Sequence, residues 1–113
     1  MAQRRIQCVD HVPVFIAGQV GIRPDGTIPD SAEEQIELAF KRLGAILKHE
    51  GLDFEHLVEL VSYHVRIDEQ LGSFREIKER FIKTDFPAWT ILGVGSLARP
   101  NLLIEIKAVA AVR

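Results

Sequence analysis

The stretch "FPAWTILGVGSLARPNLLIEIKAVAAV" near the C-terminus concentrates the residues of this chain that could do chemistry. Glu105 is the single carboxylate of the run "LLIEI", and Trp89 is the chain's only tryptophan. A carboxylate among leucines and isoleucines is costly to bury unpaired, so it either reaches water, finds a partner or shifts its pKa upward. In a cleft such an acid can orient water or move a proton. The alternative is an ion pair with Lys107 on a solvated edge strand. Around the turn "GSLARPN" the midpoint between Trp89 and Glu105 is Leu97. A symmetric hairpin about that turn makes the two side chains near cross-strand neighbours on one face. Gly18 and Gln19 interrupt an earlier apolar strand, which marks a bulge, a close packing approach or a backbone that faces a ligand.

Other chemistries find no support. There is no phosphate-binding glycine loop, since "GQVGIRPDG" runs into a turn rather than a helix. His11, His49, His56 and His64 show no metal-ligand spacing, and Cys8 alone forms neither a disulfide framework nor a multi-cysteine site. A net charge of −2 supplies no basic excess for a nucleic-acid backbone, so no nucleic-acid partner is expected. No run approaches the roughly 20 apolar residues of a membrane span, and the N-terminal "MAQRRIQCVDHV" has no apolar core of a signal peptide. The expectation is a cytoplasmic protein without membrane attachment. Its 113 residues, 47% hydrophobic and 27% charged, fit one globular domain spanning residues 1–113.

The elements that must position these residues are legible in order. "VPVFIAGQVGI", residues 12–22, reads as a strand, with Pro13 at its start or on an edge. "RPDGT" is a turn in which Pro24 pre-sets φ and Gly26 takes positive φ. Residues 29–51 read as a helix. Ser31 and Glu34 have capping-box spacing, Ile36, Ala39, Phe40, Leu43, Ile46 and Leu47 form one stripe, and Gly51 ends it. "LVELVSYHVRI", residues 57–67, is a second strand; Ser62, His64 and Arg66 share a polar face that implies water or an interface. A second helix over residues 72–83 has Ser73 and Glu76 as its capping box and Phe74, Ile77 and Phe81 as its stripe. Two more strands follow. The order argues for an α+β fold with both helices packed on one face of a mixed sheet.

The combination "FPAW … LA … LIEIKAVA", with "VFIAGQVGIRPDGTIP" and "QIELAFKRLGAILKHEGLDFEHLVELVSYHV" upstream, resembles the YjgF/RidA family of reactive-intermediate deaminases over nearly the whole chain from Val12. The resemblance implies a chorismate-mutase-like fold, a homotrimer with helices outside, and a small-molecule ligand bound in each intersubunit cleft. It also implies hydrolysis of 2-imino or 2-amino-alkenoic acids to 2-oxo acids and ammonia without metal or cofactor. Carried over by position, Glu105 is the water-placing acid, and Gly18 with Gln19 is the backbone that meets the ligand. The family's carboxylate-gripping arginine falls on Trp89. An indole offers one N–H and no charge, so it cannot replace a guanidinium fork. The resemblance therefore implies a branch with a divergent substrate, or a trimer that binds a metabolite without turnover. The family's older label, ribonuclease or translation inhibitor, ranks last. Arg66 and Arg99 are the cations whose place relative to the cleft only a structure decides. "RRIQCV", residues 4–9, is the candidate for the family's first strand.

Overall fold

The computed structural model describes residues 12–112, so the candidate strand at residues 4–9 lies outside the described residues. The elements are β1 (Val12–Val20), α1 (Ala32–His49), β2 (Leu57–Val65), α2 (Leu71–Phe81), β3 (Ala88–Val94) and β4 (Ile104–Val112). They form an α+β unit with one mixed sheet, and their bounds lie within about three residues of those the sequence pattern predicts, β2 ending at Val65 before the left-handed Arg66.

The spatial order of the strands is β1-β4-β2-β3. β4 lies antiparallel to both β1 and β2, and β2 runs parallel to β3. The expected β3–β4 hairpin is therefore not formed. β2 and β3 are joined through α2, the crossover that a parallel pair requires. The connection from β3 to β4 is long enough to carry the chain over β2. β4 is apolar throughout on the side of Ile104, Ile106, Ala108 and Ala110 and carries Glu105 and Lys107 on the other. Pro13 lies on β1, an edge strand among the described elements, where a residue without an N–H is tolerated.

The start of α1 follows the capping rule. Ser31 Oγ accepts from the Glu34 backbone N–H at 3.2 Å, while the Glu34 carboxylate turns outward to Arg23 at 3.0 Å. Gly51 takes φ 75° just past the helix, and Gly26 takes φ 90° in the preceding turn. α2 departs from expectation. It begins at Leu71 with no side-chain cap, and Ser73 Oγ instead donates to Glu33 on α1 at 3.1 Å. The left-handed Arg66 (φ 53°) and the turn after it set where this helix starts.

Both helices cover one face of the sheet. Leu60, Ile104, Ile106, Ala108 and Ala110 bury there against Ile36, Phe40, Leu43, Phe74 and Ile77. Gly21 permits close approach of β1's end to α1, because a Cβ there would collide with the Gln35 backbone. Ser62 and His64 point into this covered face with no exposure at all. The polar face expected to meet water is thus the buried one, and Val61, Tyr63 and Val65 lie on the other. Among the described residues the opposite face carries no helix. Phe15 is 77% exposed on it, and Glu59, Tyr63, Glu105 and Lys107 share it by register.

Candidate functional site

Glu105 sits on the central strand, opposite Val20 of β1 and Tyr63 of β2, half-buried on the helix-free face. An edge location is excluded by the strand order. Its carboxylate makes no hydrogen bond or ion pair among the described residues, and Lys107 does not neutralise it. A bulge in β1 between Ile16 and Gln19 brings Gly18 directly against it. A Cβ at Gly18 would collide with Glu105 Oε2 and lie 2.8 Å from Cδ. Gly18 is therefore required by the acid's position rather than by a left-handed φ, which it does not adopt.

The same bulge turns Gln19 away. The extra residue shifts the pleat, so Gln19 stands opposite Ile106 on the helix-covered side. Its Oε1 accepts from Arg42 Nε at 3.3 Å, and its Nε2 donates to the Ala17 carbonyl at 3.1 Å. Glu105 and Gly18 are brought together; the Gln19 side chain is not.

Trp89 is separated from Glu105 by the whole of β2 and lies on the opposite face, so their expected pairing does not form. It registers with Leu60 and stacks on Phe74, centroids 5.5 Å apart and 28° from coplanar. Its Nε1 donates to Ser62 Oγ at 2.9 Å. Lys78 Nζ lies 4.3 Å from the ring centroid. Of the two arginines left open by the sequence, Arg66 is exposed and paired with Glu69 at 3.3 Å, and Arg99 lies in the exposed β3–β4 connection.

Beneath Trp89 runs a directional chain of hydrogen bonds. Gln70 Nε2 donates to the carbonyls of Val65 (2.6 Å) and Leu103 (2.9 Å). The reverse amide orientation would set an oxygen against two oxygens, so Gln70 Oε1 is the atom facing His64 Nδ1, at 2.9 Å. Nδ1 therefore carries the proton and donates it. In neutral His64, Nε2 then accepts from the Ser62 hydroxyl at 2.8 Å, and Ser62 Oγ accepts from Trp89. Burial drives the His64 pKa below its ordinary value, against the opposing effect of the Gln70 bond. A second buried glutamine, Gln35, accepts from the Leu103 N–H at 2.8 Å and donates to the carbonyls of Pro29 and Asn101. Leu103, two residues before Glu105, is thus held on both sides.

Sequence reasoning missed Lys78 and this network. Lys78 had a signal: with Phe74, Ile77 and Phe81 it completes the i, i+3, i+4, i+7 spacing of an apolar stripe, so a lysine there must run along the covered side. For Ser62 and His64 the alternation was visible, but the side that would be covered was not. Among the described residues no three metal-ligating side chains cluster. The helix-free face bears a depression of about 320 Å³ lined by Phe15, Ala17, Glu59, Lys107 and Val109.

Residues 6–112 match the family model described as endoribonuclease L-PSP. The chain is 35% identical over 100 residues to the RutC family protein YjgH of Escherichia coli, covering 88% of this chain and 75% of that one. It is 31% identical over 99 residues to the human 2-iminobutanoate/2-iminopropanoate deaminase, covering 86% and 71%. Among solved structures, the conserved Rid-family protein YyfB of Yersinia pestis superposes with a TM-score of 0.81 at 29% identity, covering 88% of this chain and 78% of that one. The helix-backed mixed sheet, the glycine set against a strand acid and these matches lead to one assignment: the chain belongs to the endoribonuclease L-PSP family, also known as YjgF/RidA.

Proposed function

We propose that the chain hydrolyses a small enamine or imine to a carbonyl compound and ammonia, in a cleft completed by a second copy within a homotrimer of the chorismate-mutase-like type. The observation that carries this reading is the Glu105 carboxylate, unpaired among the described residues and held on the helix-free face against side-chain-free Gly18. An acid kept half-buried without a partner is available to a water molecule. In the proposed step the water oxygen attacks the C=N carbon while Glu105 takes a water proton. Proton transfer to nitrogen and cleavage of the C–N bond release ammonia and leave the oxo product. Relatives named 2-iminobutanoate/2-iminopropanoate deaminase support the reaction class.

The placement of Trp89 and Glu105 supports the second copy. Trp89 and Glu105 lie on opposite faces with β2 between them, so a small ligand in contact with both would take one from each of two chains. The exposed apolar side chains Val12, Phe15 and Leu92 are suited to burial in such an assembly. Light scattering at micromolar concentration is expected to give three times the chain mass; a stable monomer contradicts the reading. A coupled assay with freshly generated 2-aminoacrylate or 2-iminobutyrate is expected to show turnover that Glu105→Ala removes.

A second reading, a trimer that binds a metabolite without turnover, is favoured by one observation. Trp89 stands where the family resemblance expects an arginine, and its only donor is spent on Ser62. No ammonia release, with a small carboxylate retained on purification, selects that reading. Ribonuclease action ranks third, because the net charge of −2 provides no phosphate-binding surplus.

A further inference from the structure

We propose that Lys78 is the carboxylate-binding cation of this site, seated on Trp89 at the outer edge of the sheet. The proposal rests on the reading of the chain as a small-molecule site and adds which residue meets the ligand's carboxylate. The first observation is a charge without an ion pair. Lys78 is half-buried, yet no carboxylate pairs with it among the described residues. Its neighbour on α2, Arg80, has both Glu37 at 3.0 Å and Glu76 at 3.6 Å. A partly desolvated ammonium with no carboxylate in direct contact is the arrangement an incoming anion stabilises.

The second observation is the platform. The indole is fixed from below by Phe74 and by its bond to Ser62, so its ring is rigid and has no donor left for a ligand. What it contributes is a wall that holds Lys78 Nζ 4.3 Å above its centroid. The third is position. β3 pairs only with β2, so the backbone along its outer side is open beside this lysine among the described elements. Burial lowers the Lys78 pKa, with Arg75 acting in the same direction and Glu79 against it. A bound carboxylate reverses that by favouring the charged form. An ammonium is a compact point charge rather than a planar fork. It therefore grips one carboxylate without fixing its plane, which accommodates ligands of different shape.

The test uses the chain's single tryptophan as reporter. The full chain is titrated with pyruvate and with methyl pyruvate, its uncharged ester, following Trp89 fluorescence. The wild type is expected to show saturable quenching by pyruvate but not by the ester. Lys78→Met should weaken pyruvate binding tenfold or more with an unchanged near-ultraviolet dichroism spectrum, and Lys78→Arg should stay within a few-fold of wild type. Glu105→Ala should still bind pyruvate. No saturable binding by the wild type, equal binding of the ester, or Lys78→Met binding like wild type each overturns the proposal. Lys78-dependent pyruvate binding without imine turnover sinks the deaminase reading and leaves the anion site standing. Turnover whose KM is indifferent to Lys78→Met does the reverse.

Discussion

Gly18 and Glu105 face each other across β1 and β4, and the space a side chain would fill at Gly18 is the space the carboxylate occupies. The bulge that delivers Gly18 also turns Gln19 to the other side of the sheet. One irregularity of the ladder thus sets both what the acid meets and what it does not.

Gly18→Ala tests that relationship. The backbone at Gly18 is not left-handed, so alanine is tolerated there and the fold should survive with a change in stability of about 1 kcal/mol or less. The methyl group must displace the Glu105 carboxylate. Turnover of 2-iminobutyrate is expected to fall at least tenfold in kcat/KM while thermal unfolding moves by only a few degrees.

Trp89→Arg restores the residue that the family resemblance leads one to expect, but places it in a pocket built for an indole. Ser62 loses its donor, Phe74 loses its stacking partner, and two cations meet at Lys78. A loss of about 2–4 kcal/mol in urea unfolding is expected. Adding Lys78→Gln in the same chain should recover part of it by removing the like charge. Equal stability of the single and double variants would show that repulsion plays no part.

His64 makes the fold acid-sensitive. Its folded pKa is lowered from 6.5, chiefly by burial, so the unfolded chain takes up the proton first as pH falls. The contribution of neutral His64 is therefore complete above about pH 6.5 and is lost progressively as pH drops toward the lowered folded value. Protonation would put an N–H on Nε2 where Ser62 now finds its acceptor. Denaturant midpoints measured from pH 8 down to pH 5 should decline more steeply for wild type than for His64→Gln.

Gln70→Leu removes the hinge of the buried chain. The Val65 carbonyl and the Nδ1 hydrogen of His64 lose their Gln70 partner, while the Leu103 carbonyl keeps the Val65 N–H at 3.0 Å. A cost of about 2–4 kcal/mol is expected, since buried polar groups left unpaired carry their full desolvation penalty. Hydrogen exchange should quicken at Val65 and in the ladder from Ile104 onward, near the end of the sheet that carries Glu105.

Local pattern by itself determined the elements and their order. The stripe from Ile36 to Leu47, the cap at Ser31 and the positive-φ glycines Gly26 and Gly51 depend on residues a few positions apart, which any reading of the chain can see. The family and the acid at Glu105 were legible for the same reason. Strand order was not. Whether β4 pairs with β3 or slips between β1 and β2 is decided by non-local ladders and by the burial that a central strand gains. Alternation along β2 divided Ser62 and His64 from Val61 and Tyr63, but a period of two names two faces without saying which one the helices will cover. Only the packing of α1 and α2 chose. It buried the polar pair, satisfied it through Gln70 and Trp89, and seated Lys78 on the indole.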